Sequence, residues 1–216
     1  MTTVSGVPGP GGGSATVMGP AGQAAVPPAE IADPAPLGLA AFGLTTLVLS
    51  TINAGWIAGA GAVAVLALAL PYGGIGQALA GMWAFRRGNT FAATAFTSFG
   101  AFWISFYIFA PALATIQPAT TAHAILGTYL IAWGIFTAYM FIASLGGTRA
   151  VQAVFFFLTL TFIFLAIGGW AGQAFGNGWT MVGGYLGLVT AVVALYTSFA
   201  DVANATLKRE VLPTNW

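Results

Sequence analysis

The chain has 216 residues, 58% of them apolar and only 4% charged, whereas about a quarter of a soluble domain is Asp, Glu, Lys or Arg. Five Lys and Arg with four Asp and Glu cannot clothe a water-soluble surface or grip a nucleic-acid backbone, so both classes are excluded and a membrane is left as the solvent. The absence of cysteine also removes disulfides, thiolate nucleophiles and Cys-ligated metal sites.

In chain order, residues 1–30 are rich in Gly, Pro and Ala (GVPGPGGGSATVMGPAGQAAVPPAE) and too poor in bulky apolar side chains to build a core. They are expected to form a disordered tail, and they lack the basic start and apolar run of a signal peptide. The membrane domain is expected over residues 31–216. Its charged residues are Asp33, Arg86, Arg87, Arg149, Asp201, Lys208, Arg209 and Glu210, and the intervals 34–85, 88–148 and 150–200 hold no acid or base except at their borders. A helix crosses the hydrocarbon in about 20 residues, so each interval holds two crossings and a turn. Continuous runs of Ala, Leu, Phe and Gly, without the alternation of a membrane barrel, predict an all-α, six-helix bundle. The helices are placed near 37–57, 60–85, 90–110, 122–143, 149–168 and 179–206.

All five basic residues fall at the same set of helix ends, and short cytoplasmic loops accumulate Lys and Arg. Both termini are therefore expected in the cytoplasm. The opposite loops, near 58–59, 111–121 and 169–178, carry no charge.

Between Asp33 and Asp201 there is no carboxylate, which excludes the intramembrane Asp or Glu relay common in proton-coupled pumps. A proton must cross on the substrate, on water or through His123, the single histidine. An anion would be met by hydroxyls, amides and helix N-termini. Polar and small residues recur at helical spacing as Phe42, Thr46, Ser50 and Asn53 on the first helix. Thr90, Thr94, Thr97, Ser98 and Ser105 do so on the third, and Thr190, Ala194, Thr197 and Asp201 on the sixth. These stripes read as the lining of a narrow pathway, or as small-residue glue between helices. The glycine pairs Gly55/Gly59, Gly168/Gly172, Gly172/Gly176 and Gly183/Gly187 allow close helix approach within or between protomers.

Single candidates carry two readings each. His123 collects protons in the uncharged loop or is an interfacial residue. Asn89 binds carboxylate or caps a helix. Arg149 draws anions to the inner mouth or anchors orientation. Asp201 is solvated or pairs with Arg86, Arg87 or Arg149. The run Phe155-Phe156-Phe157 is read as bulk facing lipid or a neighbour.

The string Asp33-Pro34-Ala35-Pro36-Leu37-Gly38-Leu39 is, by local physics, a helix start with Asp as N-cap and Pro in the first turn. It closely resembles the N-P-A-P-L-G-L signature of the acetate uptake transporter family, also called succinate-acetate permeases. The resemblance extends over residues 33–213, through Tyr72-Gly73-Gly74-Ile75 with Gln77, Gly88-Asn89-Thr90-Phe91, Thr94-Ala95-Phe96-Thr97-Ser98, Phe102-Trp103, Arg149 with Gln152, and Val211-Leu212-Pro213. It implies a homo-hexamer with a pathway in each protomer, carrying acetate, other short monocarboxylates or succinate with a proton or through a channel. It also implies a hydrophobic constriction at Phe42, Phe99 and Leu158, with Phe99 where the family usually has Tyr, and a size-setting Ala194. Asp33 stands where Asn is usual.

The expected polar lining is Thr46, Ser50, Asn53, Gln77, Asn89, Thr94, Thr97, Ser98 and Thr190, with His123 and Asp201 as candidates for proton handling. No cofactor or metal is expected. The expected function is proton-linked transport of acetate-like acids across the plasma membrane, the inner one in a bacterium. The alternatives are a passive channel for monocarboxylate anions or a neutral solute such as ammonia, and a structural or signalling scaffold. No nucleophile, acid–base pair or metal cluster points to an enzyme.

Overall fold

A computed structural model describes residues 31–215, so the tail expected over 1–30 lies outside the described residues. Among the described residues the chain is helical throughout, with α1 at Ala35–Asn53, α2 at Ala62–Leu68, α3 at Gln77–Arg86, α4 at Thr90–Leu113, α5 at Ala119–Ser144, α6 at Arg149–Trp170 and α7 at Gly178–Leu207. A short 3-10 turn (Gly59–Gly61) precedes α2, and a π-helical segment (Ala69–Gly76) joins α2 to α3. Six spans are long and apolar enough to cross a membrane, the second being the composite Gly59–Arg86.

Two boundaries depart from the expected ones for backbone reasons. The first helix stops at Asn53 rather than near 57, because Gly55 adopts φ +81° and a right-handed helix cannot pass through that conformation. The second span is not one continuous α-helix. Pro71 lacks an N–H and crowds the carbonyl a turn earlier, and the wider π turns of Ala69–Gly76 absorb it. That segment presses hard on its neighbours. A Cβ added at Gly73 would lie 2.7 Å from Thr45 Oγ1 on α1 and 2.9 Å from Trp103 Cγ on α4.

Around the bundle, α1 packs on α7, α7 on α6, α6 on α5, and α3 with its π segment on α4 and α1. The seam between α4 and α5 is closed by rings instead of close backbone approach. Phe102 meets Trp133 at 5.2 Å and Tyr129 at 5.9 Å, Phe99 meets Phe136 at 5.3 Å, and Phe109 stacks on Tyr129 at 4.5 Å. Glycines close the other seams within a single protomer: Gly183 faces Leu165, Gly168 faces Thr180, and Gly187 faces Ser50. At Gly184 the α7 backbone lies against the Ala54 backbone nitrogen, leaving no volume for a side chain.

One end of the bundle gathers the basic residues together with both ends of the described chain. Arg87, after α3, faces Asp33, before α1. The tail folds back as Asn204 Oδ1 accepts from the Val211 and Leu212 N–H groups, Tyr196 donates its hydroxyl to the Pro213 carbonyl, and Ala150 N–H donates to the Thr214 carbonyl at the start of α6. Lys208 ends α7 in a left-handed conformation (φ 53°), which allows the reversal. Trp56, Trp170 and Trp179 stand exposed at the opposite, charge-free end, where indoles favour the membrane–water interface.

Overpacking at a backbone contact costs about 1–3 kcal/mol. Gly184→Val should therefore lower the unfolding temperature of the detergent-solubilised protein clearly below that of Gly146→Ala, whose added Cβ meets nothing within 4 Å. Equal midpoints would contradict the tight α1–α7 seam.

Candidate functional site

From the charge-free end a cavity of about 630 Å³ descends into the bundle. Phe42, Thr46, Ser50 and Asn53 line it together, so the stripe expected on α1 does face one chamber. Across from it stand Phe102, Trp103 and Phe106 of α4, Leu130 of α5, and Leu158, Thr161 and Phe162 of α6. No charged residue contributes to this wall among the described residues.

The floor is aromatic. Phe42 and Leu158 form its upper surface, and Phe42 packs on Phe99 at 5.7 Å. Phe99 is buried among Phe136, Trp133 and Phe155. Phe155 in turn meets Phe91 at 5.2 Å, closer to the basic end. This corrects the reading of the Phe155–Phe157 run as outward bulk: Phe155 is core, and Phe156 is exposed. The α-helical period separates them, since successive residues point 100° apart.

Below the floor, a second pocket of about 470 Å³ opens at the basic end, lined by Asp33, Pro34, Arg87, Gly88, Asn89 and Thr90. The two cavities share no lining residue. Asn89 is a helix cap, its Oδ1 accepting from Ala92 N–H at 3.0 Å, while it also borders this pocket. Pro34, not Asp33, occupies the N-cap of α1, yet Asp33 Oδ1 still accepts from Ala35 N–H at 3.0 Å. Arg87 Nη1 stands 3.9 Å from the same carboxylate, an exposed pair of small energetic weight. Asp201 therefore does not take Arg87. It forms no ion pair among the described residues and lies close enough to Asp33 for the two carboxylates to repel. Arg149 donates to Gln152 Oε1 at 3.3 Å.

The remaining sequence candidates lie off the upper wall. Thr97 packs on Gly81 of α3, and Thr94 and Ser98 are partly buried on α4 away from the cavity. Thr190 and Ala194 are buried on α7, with Thr190 bonded to the Leu186 carbonyl and 3.5 Å from Thr161 Oγ1. Gln77 is buried at the head of α3 and its Oε1 has no partner among the described residues. His123 is half-buried against Gly172 of the outer loop, outside the cavity wall. The residues 33–39 hold the start of α1 in place: Pro36 accepts from the Ser198 hydroxyl at 2.7 Å, Gly38 sits on the Phe96 ring, Leu39 is buried, Leu37 is exposed and Ala35 begins the helix.

The face of α4 that lines the cavity was open to a sequence reading. Phe99, Phe102, Trp103 and Phe106 recur at i, i+3, i+4 and i+7, an aromatic stripe as regular as the hydroxyl stripe on the same helix. The contributions of Thr161 and Gln173 to the wall had no such signal. Chemically, the chamber offers hydroxyls, two amides and an indole N–H in an apolar setting. It suits a small polar solute that is neutral or can become so, because a bare charge without a counter-charge is costly there.

The sequence profile described as the GPR1/FUN34/yaaH family matches residues 16–214. The chain is 42% identical over 186 residues to the succinate-acetate/proton symporter SatP of Escherichia coli, covering 85% of this chain and 95% of that one. It is 41% identical to acetate permease A of Emericella nidulans, covering 85% of this chain and 66% of the permease. A solved structure described as the bacterial acetate channel SatP superposes with a TM-score of 0.77 at 42% identity, over 86% of this chain and all of that one.

The cap at Asn89 sets the wall of the basic-end pocket. Asn89→Ala should destabilise the solubilised protein by about 0.5–2 kcal/mol, and Asn89→Ser should recover most of that loss. Thermal unfolding of the two variants reads the difference, and indistinguishable midpoints would refute the capping assignment.

Proposed function

This chain belongs to the GPR1/FUN34/yaaH family, and on that premise we propose that it carries acetate, similar short monocarboxylic acids and succinate across the membrane as the protonated acid. The observation that carries the reading is a chamber without charge. An uncharged, largely apolar chamber ends on an aromatic floor, and a dry ring between polar vestibules blocks hydrated ions by dewetting. An undissociated acid crosses such a floor without the cost of burying a bare carboxylate. With no Asp or Glu between Asp33 and Asp201, the passenger brings its own proton.

In this reading Phe42, Phe99 and Leu158 are the constriction. Thr46, Ser50 and Asn53 accompany the solute above it, and Asn89 and Asp33 border its way out. Gln77, Thr94, Thr97, Ser98, Thr190 and Ala194 act from behind the lining, Ala194 by setting the space available to the passenger. Because the described chain ends lie with the five basic residues, the basic end faces the cytoplasm. Plasma-membrane residence and a homo-hexameric assembly complete the proposal. A passive acetate channel is the second reading. The description of the solved relative as a channel favours it, and so does the lack of any titratable side chain in the chamber wall.

Purified protein in liposomes should take up acetate faster under an inward proton gradient, and absence of uptake under any gradient would overturn the transport reading. Uptake that ignores the proton gradient and follows the acetate potential would select the channel. In the same assay Leu158→Ala and Ala194→Gly should raise lactate uptake relative to acetate severalfold, and an unchanged ratio in a folded variant would remove that residue from size selection.

A further inference from the structure

Five buried threonines of this bundle follow one pattern. Thr45, Thr137, Thr161, Thr190 and Thr197 each donate to the carbonyl four residues earlier on the same helix, at 2.7–2.9 Å. Thr46 departs from it. It is 5% exposed and lies on the chamber wall, and its hydroxyl has no partner among the described residues. Trp103, on the same wall and 1% exposed, likewise has an indole Nε1–H without a partner among them. Buried polar groups are satisfied almost without exception, so two open ones on one wall ask for a ligand.

Their heights coincide. Thr46 follows Phe42 by four residues on α1, and Trp103 follows Phe99 by four on α4. Both helices start at the basic end, so both groups stand one turn, about 6 Å, outside the two floor rings. The indole is held rigidly. Its ring meets Phe102 at 5.0 Å and Phe106 at 5.9 Å, and Gly73 of the π segment lies behind it with no room for a side chain.

An indole N–H only donates, whereas a hydroxyl donates or accepts. That pair matches a carboxyl group: its carbonyl oxygen accepts from Trp103, and its O–H donates to Thr46. A donor-only cation such as ammonium finds no acceptor on the indole. We propose that Trp103 and Thr46 form a two-point seat for the carboxyl group of the acid, one helical turn outside the aromatic floor, with Trp103 selecting carboxyl oxygen over donor-only cations. The proposal rests on the reading of the chamber as a path for short acids.

The test uses the full chain with indole-15N tryptophan in detergent micelles, together with uptake in liposomes. Acetate should shift one indole N–H resonance saturably, ammonium chloride should leave it in place, and Trp103→Phe should abolish that resonance. In liposomes Trp103→Phe and Thr46→Val should each raise the acetate KM roughly three- to tenfold, the loss expected for one hydrogen bond. Should Trp103→Phe fail to fold, the KM of Thr46→Val decides. A wild type that transports acetate with no indole shift, or with KM unchanged in a folded variant, overturns the seat. A wild type that binds acetate at Trp103 without transporting it overturns the transport reading and leaves the seat standing.

Discussion

A polar group inside hydrocarbon has no water to turn to, and that constraint governs how this bundle is built. Backbone groups meet it by forming helices, and most threonine hydroxyls meet it by bonding back to their own helix. What remains unsatisfied is informative for the same reason. Thr46, Gln77, Thr97 and Trp103 each keep a buried atom without a partner among the described residues, and such an atom costs about 1–3 kcal/mol. Two of the four stand on the wall of the chamber that reaches toward the centre of the bundle from its charge-free end.

The shape of that chamber follows from how its walls are spaced. Glycines draw α7 onto α1 and α6 until backbones nearly touch, leaving no space for a solute between them. On the other side, α4 and α5 are kept apart by the breadth of their rings, and the opening lies on that side of α1. The π segment completes the arrangement. By carrying Pro71 and two buried glycines it brings backbone against Thr45 and Trp103, so the α4 aromatics project across the lumen and cannot retreat toward α3.

Much of this was legible from the chain. Charges expelled to the borders of long apolar intervals determine the number of crossings, and the α1 stripe of Phe42, Thr46, Ser50 and Asn53 faces the cavity as its period predicts. The α4 hydroxyl stripe, open between lining and glue, divides for a physical reason, with Thr90 bordering the basic-end pocket and Thr97 closing a helix seam. In water a polar face points to solvent, but in a membrane a threonine can equally close against a glycine of the next helix, as Thr97 does against Gly81. Periodicity identifies a face and is silent on what it faces. Asp201 was similarly open, because which acid captures Arg87 depends on where the loop before α4 meets the start of α1. The composite second span was hidden because Pro71 announces a disturbance without saying that π turns would absorb it.

The two cavities differ in charge, and in the transport reading proposed above that difference bears on direction. At the outer end a solute meets only neutral donors, so an acid loses little by keeping its proton. The basic-end pocket is lined by Asp33 and Arg87, and Asp201 lies close enough to Asp33 for the two carboxylates to repel. Asp33 replaces the Asn usual in proteins with this signature, and Arg87 offsets its charge without cancelling that of Asp201. In the transport reading proposed above, an acid that ionises in this pocket finds Arg87 already facing Asp33 and the Asp33 carboxylate at hand. In that reading, the repulsion that would keep an anion from lingering there would also oppose its return to an uncharged floor, where the proton it has given up would be needed again.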